Sequence, residues 1–272
     1  MIDYPVLSGP LRDRVLSYLG YPLVKPSTQA LNSLIIAYVQ KVPWESVFQI
    51  AKQHRMPMPE ECPRWPEEFW LDAVERGGGG TSFESNYAFL ALLCALGYEG
   101  YLTLNDMGEQ HSNHSALVLR LNGQKRLVDV GIPLYTSLRL HETQSTRIAS
   151  YFHTYIAHPK GNERYTIERT NHADRHLYTL LDRPVANTTY QAAMRQEHSQ
   201  QGLFLNRIII NKVIEGKVWR FDSSDHPLRI EAIEPTNKTE ILLPASLLAR
   251  RLASYFAMDR ATIQLALDNI TL

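Results

Sequence analysis

At about Glu99 the apolar pattern of this chain changes its period, and that switch limits what it can fold into. Before it, apolar residues recur at helical spacing. Ser8-Gly9-Pro10 precedes Leu11, Val15 and Leu19, and Gly20 ends the run; Ser27 stands ahead of Leu31, Leu34, Ile35 and Val39. A third helix is predicted from about Pro66, with Glu67 and Glu68 at its positive end and Gly77 after it. A fourth follows Gly80, where Thr81 and Glu84 have capping-box spacing ahead of Phe89, Leu92, Leu93 and Leu96. After the switch, strand-like alternation takes over. Ser115 to Leu121 and Lys125 to Val130 flank Asn122-Gly123, a strong hairpin signal, and Tyr165 to Arg169 and Leu177 to Leu181 continue in the same style. A β-barrel or curled sheet is the natural packing for them. Strands at Asn206 to Asn211, Lys217 to Phe221 and Leu228 to Ile233 follow, then helices from about Pro244 to Phe256 and from about Ala261. A helices-then-strands order predicts an α+β fold.

Lys plus Arg (28) equal Asp plus Glu (28), so no net field recruits nucleic acid or an anionic membrane. Two cysteines, Cys62 and Cys94, are too few for a disulfide framework or a four-thiolate zinc site, which fits a reducing, cytoplasmic setting. No basic-then-apolar leader and no run of 18 apolar residues is found, so neither a signal peptide nor a membrane span is expected.

Arg76-Gly77-Gly78-Gly79-Gly80-Thr81-Ser82 is the most unusual stretch. Consecutive glycines cost backbone entropy and are kept where something must approach the backbone closely; a flexible, well-capped loop is the competing reading. No Gly-Lys-Ser/Thr follows, which excludes a P-loop of the usual form. Ser82 falls in the first turn of the fourth helix, where free N–H groups favour developing negative charge. That is a nucleophile's position.

A two-residue turn at Asn122-Gly123 pairs Leu121 with Gln124, and continuing the register brings His114 opposite Gly131. Asp129, two places from Gly131, then points to the same face as His114 and is its diagonal neighbour. An imidazole and a carboxylate so held form the base and orienter of an acyl-transfer or hydrolytic triad. The open alternative is a strand-end histidine and an aspartate bonded to backbone amides. His111 and His114 form H-x-x-H without a third ligand nearby, and no metal is expected.

Gly79-Gly80-Thr81-Ser82-Phe83-Glu84-Ser85-Asn86 resembles the Gly-Gly-x-Cys-x-Glu-x-Asn segment of the arylamine N-acetyltransferase family, with serine at the cysteine position. Asn113-His114, Val128-Asp129-Val130-Gly131 and Val42-Pro43-Trp44-Glu45-Ser46 resemble further family elements. The resemblance implies an N-terminal helical bundle (1–97), a central β-barrel (98–185) and a C-terminal α/β lid (186–272) around a cysteine-protease-like core. It implies acetyl-coenzyme A as cosubstrate, a small amine as acceptor, and Ser82, His114 and Asp129 as the catalytic set. Trp44, Thr81 and Phe83 would line the substrate site, supported by Glu45, Arg76, Glu84 and Asn86. Two departures stand out: Gly78 occupies the place of an arginine that precedes the family's glycines, and Ile132-Pro133 replaces Phe-Gly. The partner of Glu45 is thereby left open. With serine for cysteine, slow or altered acyl transfer is expected; the alternatives are an inactive homologue that binds coenzyme A or a small aromatic ligand, and a serine esterase or amide synthase.

Overall fold

The computed structural model describes residues 2–56, 58–150, 152–170, 174–198, 204–234 and 237–271. Its elements begin with α1 (Gly9–Leu19), α2 (Thr28–Lys41), β1 (Trp44–Glu45), α3 (Val47–Arg55), α4 (Pro66–Arg76) and α5 (Ser82–Ala95). Strands β2 (Glu99–Met107), β3 (Gln110–Leu121), β4 (Gln124–Val128), β5 (Leu138–Leu140), β6 (Thr146–Ala149), β7 (Thr154–Pro159), β8 (Arg164–Arg169) and β9 (His176–Leu181) come next. After α6 (Asn187–Glu197) come β10 (Ile209–Ile214), β11 (Lys217–Asp222), β12 (Arg229–Ile233), β13 (Lys238–Leu242), α7 (Leu248–Phe256) and α8 (Arg260–Leu267). The expected α+β fold is present.

The chain divides into two compact units, each made of two stretches. The first is Met1–Tyr38 with Asn86–Tyr190. In it, β5-β4-β3-β2-β9-β8-β7-β6 form one antiparallel sheet, and the Thr146 hydroxyl of β6 donates to the Arg139 carbonyl of β5. That bond joins the sheet's two ends into a nearly closed barrel, which removes exposed edges. Helix α1 stops where Gly20 turns left-handed (φ 65°), and α2 starts where the Ser27 hydroxyl accepts the Ala30 N–H at 3.0 Å, both as the sequence implies. Helix α5 is apolar almost all round and buried throughout the part that lies in this unit, apart from half-buried Cys94 and Ala95.

The second unit is Val39–Ser85 with Gln191–Leu272. Its sheet, ordered β1-β10-β11-β12-β13, is antiparallel. Val47, Phe48 and Ile50 of α3 pack into one core with Ile210, Phe221 and Ile230 of the sheet and Leu252, Phe256 and Ile263 of α7 and α8.

Two expected strands have other bounds than the sequence suggested, β4 being shorter and β10 shifted three residues on. The hairpin register runs as expected from Leu121↔Gln124 to Leu117↔Val128, but β4 ends there rather than at Val130. The Asp129 carboxylate accepts the Gly131 and Ile132 N–H groups at 2.9 Å each and turns the chain out of the sheet. The expected pairing of His114 with Gly131 is therefore not made, and His114 is held on the strand's other edge, opposite Asn105 of β2. Strand β10 begins at Ile209, because the Ser46 hydroxyl takes the Arg207 carbonyl and the Ile209 N–H.

Candidate active site

In the first unit, His114 near the start of β3 and Asp129 just beyond β4 meet, with Nε2 2.7 Å from Oδ2 and both residues about 1% exposed. The other carboxylate oxygen accepts from Gly131, Ile132 and the Asn86 side chain at 2.9, 2.9 and 3.1 Å. Asn86 is itself fixed: its amide also donates to the Ser115 carbonyl at 2.8 Å, and its oxygen accepts the Val130 N–H at 3.1 Å. One helix side chain thus clamps the loop that carries the carboxylate. A buried anion is tolerated only when its oxygens are so occupied, and this one has four donors. The Tyr178 ring lies on the imidazole, centroids 4.5 Å apart, and burial followed by the nearby Asp129 charge pushes its phenol well above the usual range. With Nε2 committed to Asp129, Nδ1 is the nitrogen left to exchange a proton.

In the second unit, Ser82 is the first residue of α5 and half-buried. The glycines before it are needed for close approach, and what approaches is the protein itself. A Cβ on Gly79 would stand 1.8 Å from the Pro43 carbonyl oxygen, and one on Gly77 (φ 68°) 2.0 Å from that of Ala257. Glu45, fully buried, accepts the Gly79 and Phe48 N–H groups at 2.9 Å each. Burial pushes its carboxyl up, against the pull of Arg64 and these two N–H groups.

Arg64 is the residue that the sequence did not single out. It is about 1% exposed and pairs with Glu84, and its Nη2 donates to the Gly79 carbonyl at 2.6 Å. Burial alone would raise Glu84; Arg64 and then His198, 3.5 Å away, outweigh it and hold the carboxyl at about 2. Both of the residues read as a capping box are therefore engaged elsewhere, Glu84 with Arg64 and the Thr81 hydroxyl with Gln49 Oε1 at 3.4 Å. Arg76 turns to Asp72 (2.8 Å) and Thr262 (2.7 Å) and is not the cation beside Glu45. The sequence signal for Arg64 was thin: one arginine between Pro63 and Trp65-Pro66, with three carboxylates, Glu45, Asp72 and Glu84, in need of a cation.

Of the remaining candidates, Phe83 is buried, and Trp44 sits edge-on to Phe204, ring centroids 5.2 Å apart. His111 is exposed and lies 3.3 Å from Asp106. Among the described residues no cluster of histidine, cysteine and carboxylate side chains could hold a metal ion, and no helix is long and apolar enough to cross a membrane.

An α+β chain with a nearly closed antiparallel barrel and a buried helix has the fold of the arylamine N-acetyltransferases. The Mycobacterium abscessus enzyme superposes with a TM-score of 0.78 at 19% identity, covering 94% of this chain and 93% of its own. The Mycobacterium marinum enzyme in complex with CoA gives 0.80 at 16%, covering 96% and 99%. A Bacillus cereus enzyme described as having a Cys-His-Glu catalytic triad gives 0.77 at 16%, covering 93% and 100%. A comparison with curated protein sequences finds no match. The profile of the N-acetyltransferase family matches residues 27–243, well over half of the chain, and the protein belongs to that family.

Proposed function

We propose that this protein is an acyl-coenzyme-A-dependent transferase that acetylates, or acylates, an arylamine or similar small amine through Ser82, His114 and Asp129. The observation that carries the reading is the buried His114–Asp129 pair, whose carboxylate is locked by Asn86 and two backbone amides. Family membership and the CoA complex of the Mycobacterium marinum relative support the cosubstrate.

In the first half-reaction the Ser82 hydroxyl gives its proton to His114 as the oxygen attacks the thioester carbonyl. The carbon–sulfur bond breaks, coenzyme A leaves with the proton from His114, and an acyl-serine ester remains. The amine then attacks that ester, His114 takes its proton and returns it to the Ser82 oxygen, and the amide departs. Asp129 keeps the imidazole oriented and stabilises its charged form. Trp44, Thr81 and Phe83 serve as the acceptor wall in this reading, with 1–97 as the helical bundle, 98–185 as the β-barrel and 186–272 as the α/β lid segment. The cytoplasm is the setting proposed.

Serine in the nucleophile position favours a second reading, a homologue that binds coenzyme A or an aromatic ligand without turnover. A thiol can be drawn down to a thiolate by a helix N-terminus, whereas a hydroxyl must lose its proton during attack. Intact-mass analysis after incubation with acetyl-coenzyme A separates the two. An acetyl group on the Ser82 peptide, passed on to anisidine, is expected. Absence of the adduct from both the parent and Ser82→Cys, with coenzyme A still bound, would leave only the binding role; hydrolysis of the adduct without transfer would indicate an esterase.

A further inference from the structure

Arg64 lies outside the glycine-rich segment, yet every nitrogen of its side chain is used within it or beside it. Nε is 3.4 Å from Glu84 Oε1, Nη1 is 3.3 Å from Asp72 Oδ2, and Nη2 holds both Glu84 Oε2 and the Gly79 carbonyl. The Arg64 backbone N–H adds a bond to Glu84 Oε1 at 2.9 Å. Space explains why the cation comes from here. A Cβ at Gly78, directly before Gly79-Gly80, would stand 2.9 Å from the Phe48 ring, and the Arg64 guanidinium lies 5.4 Å over that same ring. Phe48 occupies the room that a side chain at residue 78 would need.

Glu84 is two residues from Ser82, in the first turn of α5. Unneutralised, it would oppose any negative charge developing at residue 82. We infer that Arg64 is the positioning residue of this site: it cancels Glu84 and anchors the Gly79 carbonyl, so that the start of α5 supports a nucleophile at residue 82. The inference rests on the reading of residue 82 as the nucleophile position. Glu84 is also faced by His198, with Glu45 nearby; Asp72, on the far side of Arg64, is shared with Arg76.

The test uses Ser82→Cys as background and reads the rate at which iodoacetamide alkylates the introduced thiol as a function of pH, with peptide mapping to separate Cys62 and Cys94. Alkylation needs only a thiolate, so it is informative whether or not the protein transfers acetyl groups. Adding Arg64→Met is expected to raise the apparent pKa of that thiol by about one unit or more, roughly a tenfold loss of thiolate at neutral pH. Adding Glu84→Gln to that variant is expected to return the profile to within about threefold of the background, because the charge that needed cancelling is gone. Arg64→Lys keeps the charge without the fork and is expected to fall between. A melting temperature that drops while the alkylation profile stays put would reduce Arg64 to a structural brace and overturn the proposal. Should Arg64→Met not fold, Glu84→Gln alone decides: with Arg64 uncancelled the thiol pKa must fall, and an unchanged or higher value overturns the proposal. Failure of the acyltransferase reading would look different, as a normal alkylation profile without an acetyl adduct from acetyl-coenzyme A.

Discussion

Asp129 spends one carboxylate oxygen on three N–H donors and the other on His114, and this division decides what a substitution does. In Asp129→Asn the amide oxygen can keep Asn86, Gly131 and Ile132, which leaves the NH2 group facing Nε2. Nε2 must then accept, the ring proton moves to Nδ1, and the imidazole no longer starts as a base toward a nucleophile. Acyl transfer is expected to fall by about 10²–10⁴-fold with little change in fold. Single-turnover release of coenzyme A measures it, and an unchanged rate would remove Asp129 from the chemistry. The His114–Asp129 contact was legible only in part: the two-residue turn fixes the register as far as Leu117↔Val128, but the diagonal strand pair expected beyond it does not form, and Asp129 reaches His114 from the loop that leaves the sheet. Arg64 was not legible. Arginine is rarely buried, and nothing local in Pro63-Arg64-Trp65 tells that Glu84, twenty residues on, will need it.

Among elements, the glycine run shows how the same residue type serves different ends. Gly79 is forced by crowding, with a Cβ 1.8 Å from the Pro43 oxygen, whereas Gly123 has open space around it and a positive φ of 73°. Gly79→Ala must push two backbone segments apart and is expected to cost about 1–3 kcal/mol or more. Gly123→Ala only strains a turn, at about 1 kcal/mol. Urea melts of the two variants give the order, and a smaller loss at Gly79 would contradict the packing described. Helices α1, α2 and α4 were readable because their apolar spacing is bounded by residues that act as starts or stops, Gly20, Ser27, Pro66 and Gly77; α5 was readable from its apolar run, since both residues of its expected capping box are engaged elsewhere. Helix α3 was not: Gln49 is buried beside Val47, Phe48 and Ile50, and the run is too short for its period to stand out. Strands β5, β6 and β7 and helix α6 escaped for a similar reason. They are short or polar, β5 and β6 being only three and four residues long, so neither period stands out in the sequence.

For the molecule as a whole, the proposed cosubstrate predicts a response to coenzyme A that needs no turnover. Binding to the native state alone adds about 2.7 kcal/mol of stability at a hundred times the dissociation constant, so the melting temperature is expected to rise with coenzyme A concentration. A flat response up to millimolar ligand would count against the cosubstrate. The order in which the two units are written along the chain bears on how the protein comes into being. Residues 39–85 belong with 191–272, and the first unit's longer stretch, 86–190, is synthesised between them. On the ribosome, Val47, Phe48 and Ile50 therefore emerge more than a hundred residues before Ile210, Phe221 and Leu252, their core partners. At typical elongation rates that leaves this apolar face of the nascent chain waiting for several seconds or longer, open to chaperones or to wrong partners, while the barrel segment is completed.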